Sequence, residues 1–360
     1  MTSSRRLPLS YNEKTFGTLA AGRDYTVLAT WESDTDNNLV SSAKGEVLTC
    51  YADLATYNNN VMIAGATTNG SYFRVIRAAS GQRGTPTIGV RFENNNVVAA
   101  TYVFTCFENN FSLYDLGISV NTTGSYSCVA VRSGQTNIIN RFVGLTIYNC
   151  TSSGGLAIGL YIGGVPTDTI YVGNCYITNC TGIHAASSGL YFECTDINGT
   201  NTGYVYNNTI TYCKTGVLTA SSGSGELVTL NLKNNIIQGC TTPIIQGSNC
   251  TIVTTTNVTS GVTFAADGYH LAPTDTVAIN HGTDLSGVLP STETVFPFTD
   301  DIDGDTRPTG AGTWDIGVDE YIALILGPIN LKSYNTNLKS NIKSVNGNLI
   351  ANVKSINTSA

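Results

Sequence analysis

The chain has 360 residues and a formal net charge of −7, and only 12% of its residues are charged. Two Met and long stretches poor in Leu, Glu, Lys and Ala argue against a helical bundle or a doubly wound α/β fold. No apolar run approaches the ~18 residues that span a membrane, and the acidic balance without a clustered basic face excludes duplex nucleic acid as a partner.

The first ten residues carry Arg5 and Arg6 but no apolar stretch, so no secretory signal is expected there. Residues 1–40 read as an N-terminal cap or attachment segment. Within the next stretch, 41–275, the chain aligns with itself from about 140 to 260. Gly144-Leu-Thr-Ile147-Tyr-Asn-Cys150 aligns with Asn174-Cys-Tyr-Ile177-Thr-Asn-Cys180, Asn207-Asn-Thr-Ile210-Thr-Tyr-Cys213 and Asn234-Asn-Ile-Ile237-Gln-Gly-Cys240. The Ile-to-Ile spacings are 30, 33 and 27 residues, and a weaker earlier copy ends at Ile118. Short alternating segments between copies, bounded by Gly, Ser, Thr and Asn, read as strands. Such a unit predicts one coil of an all-β parallel β-helix, whose coils stack because none can bury its inward face alone.

Stacking places equivalent residues in columns. Ile147, Ile177, Ile210 and Ile237 are expected to form an inward aliphatic column, and Cys150, Cys180, Cys213 and Cys240 a second. Asn174, Asn207 and Asn234 are expected at a turn, where Asn tolerates left-handed backbone and amides can hydrogen-bond along a ladder. Buried free Cys behaves as a small hydrophobe, so the column is read as reduced. No CxxC or Cys/His cluster offers a metal site, and Cys175 with Cys180 is the alternative disulfide pair.

The Asn-Asn-x-Ile-x-x-Cys units resemble the coils of right-handed parallel β-helix proteins of the pectate-lyase-like superfamily. Asp301-Ile-Asp303-Gly-Asp305-Thr-Arg307-Pro308 with Trp314-Asp315-Ile-Gly317-Val-Asp319-Glu320-Tyr321 resembles a motif that closes bacterial and phage-type β-helix domains. The resemblance implies the fold and no one activity, since this fold carries lyases, hydrolases, tailspikes and adhesins.

Enzymes of this fold need charged residues projecting from neighbouring coils. Between 141 and 260 the only charges are Arg141, Asp168, Glu193, Asp196, Lys214, Glu226 and Lys233. Glu193 and Asp196, with His184, form the fallback catalytic set. Three residues apart, the two carboxylates cannot both project from one regular strand without a turn. The bland reading, scattered solvated charges, is preferred. The many coil tyrosines suit either sugar stacking or strand formation, the latter being favoured for any one of them.

Eight of the 25 acidic residues lie between 291 and 320. Asp301, Asp303 and Asp305 at alternate positions could turn onto one structural Ca²⁺. The competing reading is a turn whose carboxylates cap backbone amides, with Arg307 paired to Asp315 or Asp319. Residues 276–322 are thus expected to cap the coils, and no other cofactor is expected.

Residues 323–360 carry an 11-residue repeat, Leu331-Lys-Ser, Ile342-Lys-Ser and Val353-Lys-Ser. Its apolar stripe of Leu331, Leu338, Ile342, Val345, Leu349, Val353 and Ile356 has helical spacing, opposed by Gly347 and many Asn and Ser. An assembly tail is expected, with a homotrimer favoured. The expected function is a structural and binding virion protein assembled in a bacterial cytoplasm: a tail fibre, tailspike-like or head-fibre rod that contacts other virion proteins and host-surface glycans. A polysaccharide lyase or glycoside hydrolase, and a bacterial surface adhesin, are the alternatives.

Overall fold

The computed structural model describes residues 5–95, 99–123, 125–134, 139–164, 168–195, 199–221, 225–286, 299–308 and 313–322, with the strands Ser344–Val345 and Asn348–Leu349. The chain divides into two units, Met1–Tyr321 and Ile322–Ala360.

The first unit is a right-handed parallel β-helix with three sheet faces. One face stacks nine parallel strands from Tyr11–Phe16 to Cys250–Thr255. A second runs through Gly117–Thr122, Thr146–Tyr148, Tyr176–Thr178, Thr209–Thr211 and Ile236–Gln238. The third stacks seven strands from Val61–Ile63 to Thr242–Gln246. The coils therefore begin well before residue 41: Tyr11–Phe16 already pairs in parallel with Gly45–Cys50. The helix Leu28–Thr35 follows, and its Leu28 and Trp31 are buried in the main core.

Register follows the repeat. Ile118 pairs with Ile147, Ile147 with Ile177, Ile177 with Ile210 and Ile210 with Ile237, all fully buried. The cysteines are joined through their flanking backbone. Thr181, Lys214 and Thr241 donate N–H to the carbonyls of Cys150, Cys180 and Cys213. All ten cysteines are free, and of them only Cys240 is not fully buried. Burial raises the Cys150 and Cys213 thiols. Thiol contacts up and down the column, led by Cys150 on Cys180 and by Cys213 on Cys240, raise the other two.

The corner between the first two faces turns on a left-handed residue in five successive coils: Asp115 (φ 62°), Gly144 (68°), Asn174 (49°), Asn207 (55°) and Asn234 (53°). Asn is favoured there because its short polar side chain tolerates positive φ. The amide ladder, however, runs one residue later than the repeat suggested. Asn208 Nδ2 donates to Asn235 Oδ1 at 2.9 Å, and Asn235 Nδ2 to Asn257 Oδ1 at 2.8 Å. These side chains also reach the carbonyls of Val172, Val205 and Leu232. The left-handed asparagines point at the C-terminal segment instead, as Asn174 Nδ2 on the Asp300 carbonyl and Asn234 Nδ2 on the Thr283 carbonyl.

Val262, Leu271, Ala278 and Ile316 pack with Ile236 at the end of the core. The chain then runs back along the asparagine corner as a strap. Gly317 N–H donates to the Asn234 carbonyl and Val318 N–H to Thr209 Oγ1, and Arg83 holds the carbonyls of Ile302 and Gly144. Arg5 adds ion pairs to Asp115 and Asp300, each at 2.6 Å.

In the second unit, Ser344–Val345 pairs antiparallel with Asn348–Leu349. At Val345 and Leu349 the tail is thus a strand pair rather than a helix. Leu331, Leu338, Ile342, Val353 and Ile356 lie outside the described residues.

Candidate functional site

The fallback catalytic set does not assemble among the described residues. His184 is exposed, and its Nδ1 faces the Ala186 amide of its own turn. Glu193 takes hydroxyl donors, Tyr161 at 2.5 Å and Tyr191 at 3.2 Å, and no histidine. Asp196 lies outside the described residues. Nor are the other coil charges simply scattered in solvent. Arg141, Asp168 and Glu226 are buried, with Arg141 over the rings of Phe73 and Tyr171. Lys214 Nζ caps the Ile183 carbonyl at 2.6 Å, and Lys233 sits 5.5 Å from the Tyr206 ring.

The third face carries the arrangement that the sequence did not foreshadow. On the side away from the main core, Val129, Ile158, Tyr191 and Leu218 form a separate cluster with Tyr102 and Tyr161 packed against it. Parallel register builds it: Arg132 lies opposite Tyr161, and Tyr161 opposite Tyr191. The Tyr161 and Tyr191 rings meet edge to face at 5.4 Å. Arg132 sits 5.1 Å from the Phe107 ring centre, 5.7 Å from that of Tyr102 and 5.8 Å from that of Tyr161, and it makes no ion pair among the described residues. Burial, with Glu193 beside both rings, raises the Tyr161 and Tyr191 hydroxyls, so they stay protonated donors. The contributing residues sit about one coil apart in sequence, which is why no local motif marks them. Elsewhere the coil tyrosines are mostly structural. Tyr171, Tyr176 and Tyr206 are buried, and Tyr171 stacks on Tyr204 at 5.3 Å.

The strap holds the second candidate. Asp301 does not turn toward Asp303 and Asp305. Its Oδ1 accepts both of their N–H groups at 2.8 Å, and its Oδ2 accepts the Glu320 N–H at 3.0 Å. The alternate aspartates are thus a capped turn, and Asp305 is exposed. Arg307 is fully buried over Trp314 and pairs with Glu320 at 2.9 Å rather than with Asp315 or Asp319 carboxylates; from Asp315 it takes only the backbone carbonyl. Burial pushes Glu320 up to about 7.

Asp303 instead meets His270, a residue the sequence reading passed over. His270 Nε2 lies 2.6 Å from Asp303 Oδ2, and its Nδ1 lies 2.5 Å from Asp267 Oδ2. Burial alone would lower this imidazole, but the hydrogen bonds to Asp267 and Asp303 outweigh it and raise it to about 10. Asp319 is buried beside them and accepts the Leu271 N–H at 2.7 Å. Among the described residues, His270, Asp303 and Asp319 are the three-donor group whose ligand atoms all lie within 4.8 Å of one another. A signal was present in Asp267-Gly-Tyr-His270, where a carboxylate three residues before a histidine can turn back onto its ring.

The fold thus defines a parallel β-helix protein with an aromatic outer face and a carboxylate-rich strap. No family model and no curated protein matches the chain. Among solved structures, the pectate lyase Pel9A aligns over 87% of this chain and 98% of its own, at 11% identity and a TM-score of 0.33.

Proposed function

We propose that the chain is a structural and binding protein, a β-helix rod of a bacterial virus of tail-fibre, tailspike-like or head-fibre type, which contacts surface glycans through its third face. One observation supports the binding role most: a guanidinium without a carboxylate partner among the described residues, set among three aromatic rings on a sheet face turned away from the main core. Aromatic rings take the apolar faces of sugars, and a guanidinium takes a carboxylate in a bidentate fork. The ligand chemistry this favours is a glycan containing acidic sugars, with the Glu193-held tyrosines as the neighbouring platform. The ten free cysteines fit assembly in a reducing cytoplasm, and the repeating tail fits a homotrimer.

The test is titration of the full chain with neutral and uronate-containing oligosaccharides. Arg132→Ala should weaken acidic ligands at least about tenfold, by analogy with a lost charged hydrogen bond, and leave neutral ones little changed. Tyr161→Ala should weaken both. No binding of any glycan would end the binding role, and release of unsaturated products or new reducing ends by the wild-type chain would replace it with catalysis. Mass spectrometry of purified virus particles checks the virion assignment; a chain missing from them would refute it.

A further inference from the structure

A neutral imidazole has one N–H to give, yet the His270 ring has a carboxylate oxygen at each nitrogen, Asp267 on Nδ1 and Asp303 on Nε2. One of the two contacts therefore needs a cation, either a second proton or a metal ion. Other charges do not fill that role. Arg83, the cation of the neighbouring coil, turns its Nη groups to the carbonyls of Ile302, Gly144 and Asn174, and the carboxylate it approaches within ion-pair distance is Asp115 at 4.0 Å. Among the described residues no Lys or Arg pairs with Asp303 or Asp319. Asp319 is 6% exposed. One of its oxygens accepts the Leu271 amide, and the other accepts no hydrogen bond among the described residues.

We propose that His270, Asp303 and Asp319 form a site for a divalent transition-metal ion such as Zn²⁺, with Asp267 as the positioning residue behind the histidine. The donor set selects the class: one imidazole nitrogen with two carboxylate oxygens suits Zn²⁺ and its neighbours, whereas Ca²⁺ requires six to eight oxygens. Asp267 holds Nδ1 and thereby fixes the tautomer that presents Nε2, the usual outer-shell arrangement of a metal-bound histidine. Ligands about 2.0–2.2 Å from a common ion stand roughly 3.3 Å apart. The present 2.6 Å contact between His270 and Asp303 must therefore open by under an ångström, with the Nε2 proton leaving as the ion enters.

The position gives the ion a task. Asp267 and His270 belong to the turn after the last coil, where Tyr269 packs on Tyr176 at 5.1 Å. Asp303 and Asp319 belong to the strap. An ion here ties the strap to the turn beside the coils, adding coordination to the packing of Tyr269 with Tyr176, Ile302 and Val318. Three protein ligands leave a fourth position to water, so the site is a latch with an open coordination place.

The experiment titrates the metal-stripped full chain with Zn²⁺ alone by calorimetry, with Ca²⁺ as comparison. One Zn²⁺ should bind with micromolar or tighter affinity and Ca²⁺ at least 100-fold more weakly. At 100 times its dissociation constant Zn²⁺ should raise the melting temperature by about 4 °C. His270→Ala should abolish this site, and Asp267→Asn, which keeps all three ligands and the fold, should weaken it 10- to 100-fold. A wild-type chain that binds no Zn²⁺, or a His270→Ala chain that binds it equally, would overturn the proposal.

Discussion

The coils and the strap satisfy their backbones by opposite means. In the coils each strand donates and accepts in register with the coils above and below, and inward side chains such as Ile147, Ile177 and Ile210 fill the core. In the strap and the turns that lead into it, only isolated bridges form among the described residues, among them Phe264 with Leu271 and Asp300 with Thr306, and carboxylates take over the ladder's role. Asp275 accepts from Thr263, Val277, Ala278 and Ile279, Asp315 from Asn280 and Tyr321, and Asp301 from Asp303, Asp305 and Glu320. Repetition lets the backbone groups of the first region satisfy one another from coil to coil. Irregular backbone makes charge indispensable in the second, since buried N–H groups must find acceptors.

The comparison can be broken most sharply in the coils. Ile210→Asp puts an unpaired carboxylate where a fully buried aliphatic side chain packs between Ile177 and Ile237, and should cost about 5 kcal/mol or more. A denaturation midpoint equal to the parent's would mean that the column does not face inward. In the strap, Arg307→Ala leaves Glu320 buried without its partner and should cost about 3–5 kcal/mol. Restoration of the parent melting curve by adding Glu320→Gln would confirm that the uncompensated charge, rather than lost packing over Trp314, carries most of that cost.

The asparagines sharpen the comparison within one corner. Asn235→Ala removes a rung of the amide ladder and should cost about 1–3 kcal/mol. Asn207 is fully buried with neither amide atom bonded among the described residues, so Asn207→Gly, which keeps the positive φ, should cost under about 1 kcal/mol. Equal losses at the two positions in chemical denaturation would contradict the one-residue offset of the ladder. The smallest expected effect is chemical: native Cys150, Cys180 and Cys213 should resist thiol reagents until the protein unfolds, because burial and thiol contacts raise all three. Labelling of these thiols within minutes in the folded state would show the column to be open.

How much of this was legible in the sequence follows the same division. Coils with an Ile-x-x-Cys unit announce their register because identical side chains must stack. The first coil, Tyr11–Phe16, has no such unit and reads as part of an N-terminal cap or attachment segment. The ladder was misplaced by one residue because the Asn174 coil carries Cys175 where its neighbours carry Asn208 and Asn235, which hides the second asparagine as the conserved-geometry position. Columns that mix residue types, such as Arg132, Tyr161 and Tyr191, leave no trace in a repeat. In the strap, partners such as Arg307 with Glu320 and Leu271 with Asp319 lie far apart in sequence with no period to align them. Arg307 was therefore assigned to the nearer aspartates and His270 was not connected with Asp303 at all.

Acid provides the most direct test of the central claim that coils stand on register and the strap on carboxylates. Burial alone would raise the Asp275 carboxyl, but its four backbone N–H donors outweigh this and hold it below the ordinary range. A depressed carboxyl stabilises the fold fully above the unfolded value near ~4 and loses that contribution as pH falls through the folded one. Native-state hydrogen exchange on the full chain, followed from pH 6 to pH 3, should show the amides of Thr263, Val277 and Ala278 losing protection first. The amides of Ile177, Ile210 and Leu230 should keep theirs at the same pH. Loss of protection in both sets together, at one pH, would contradict the division.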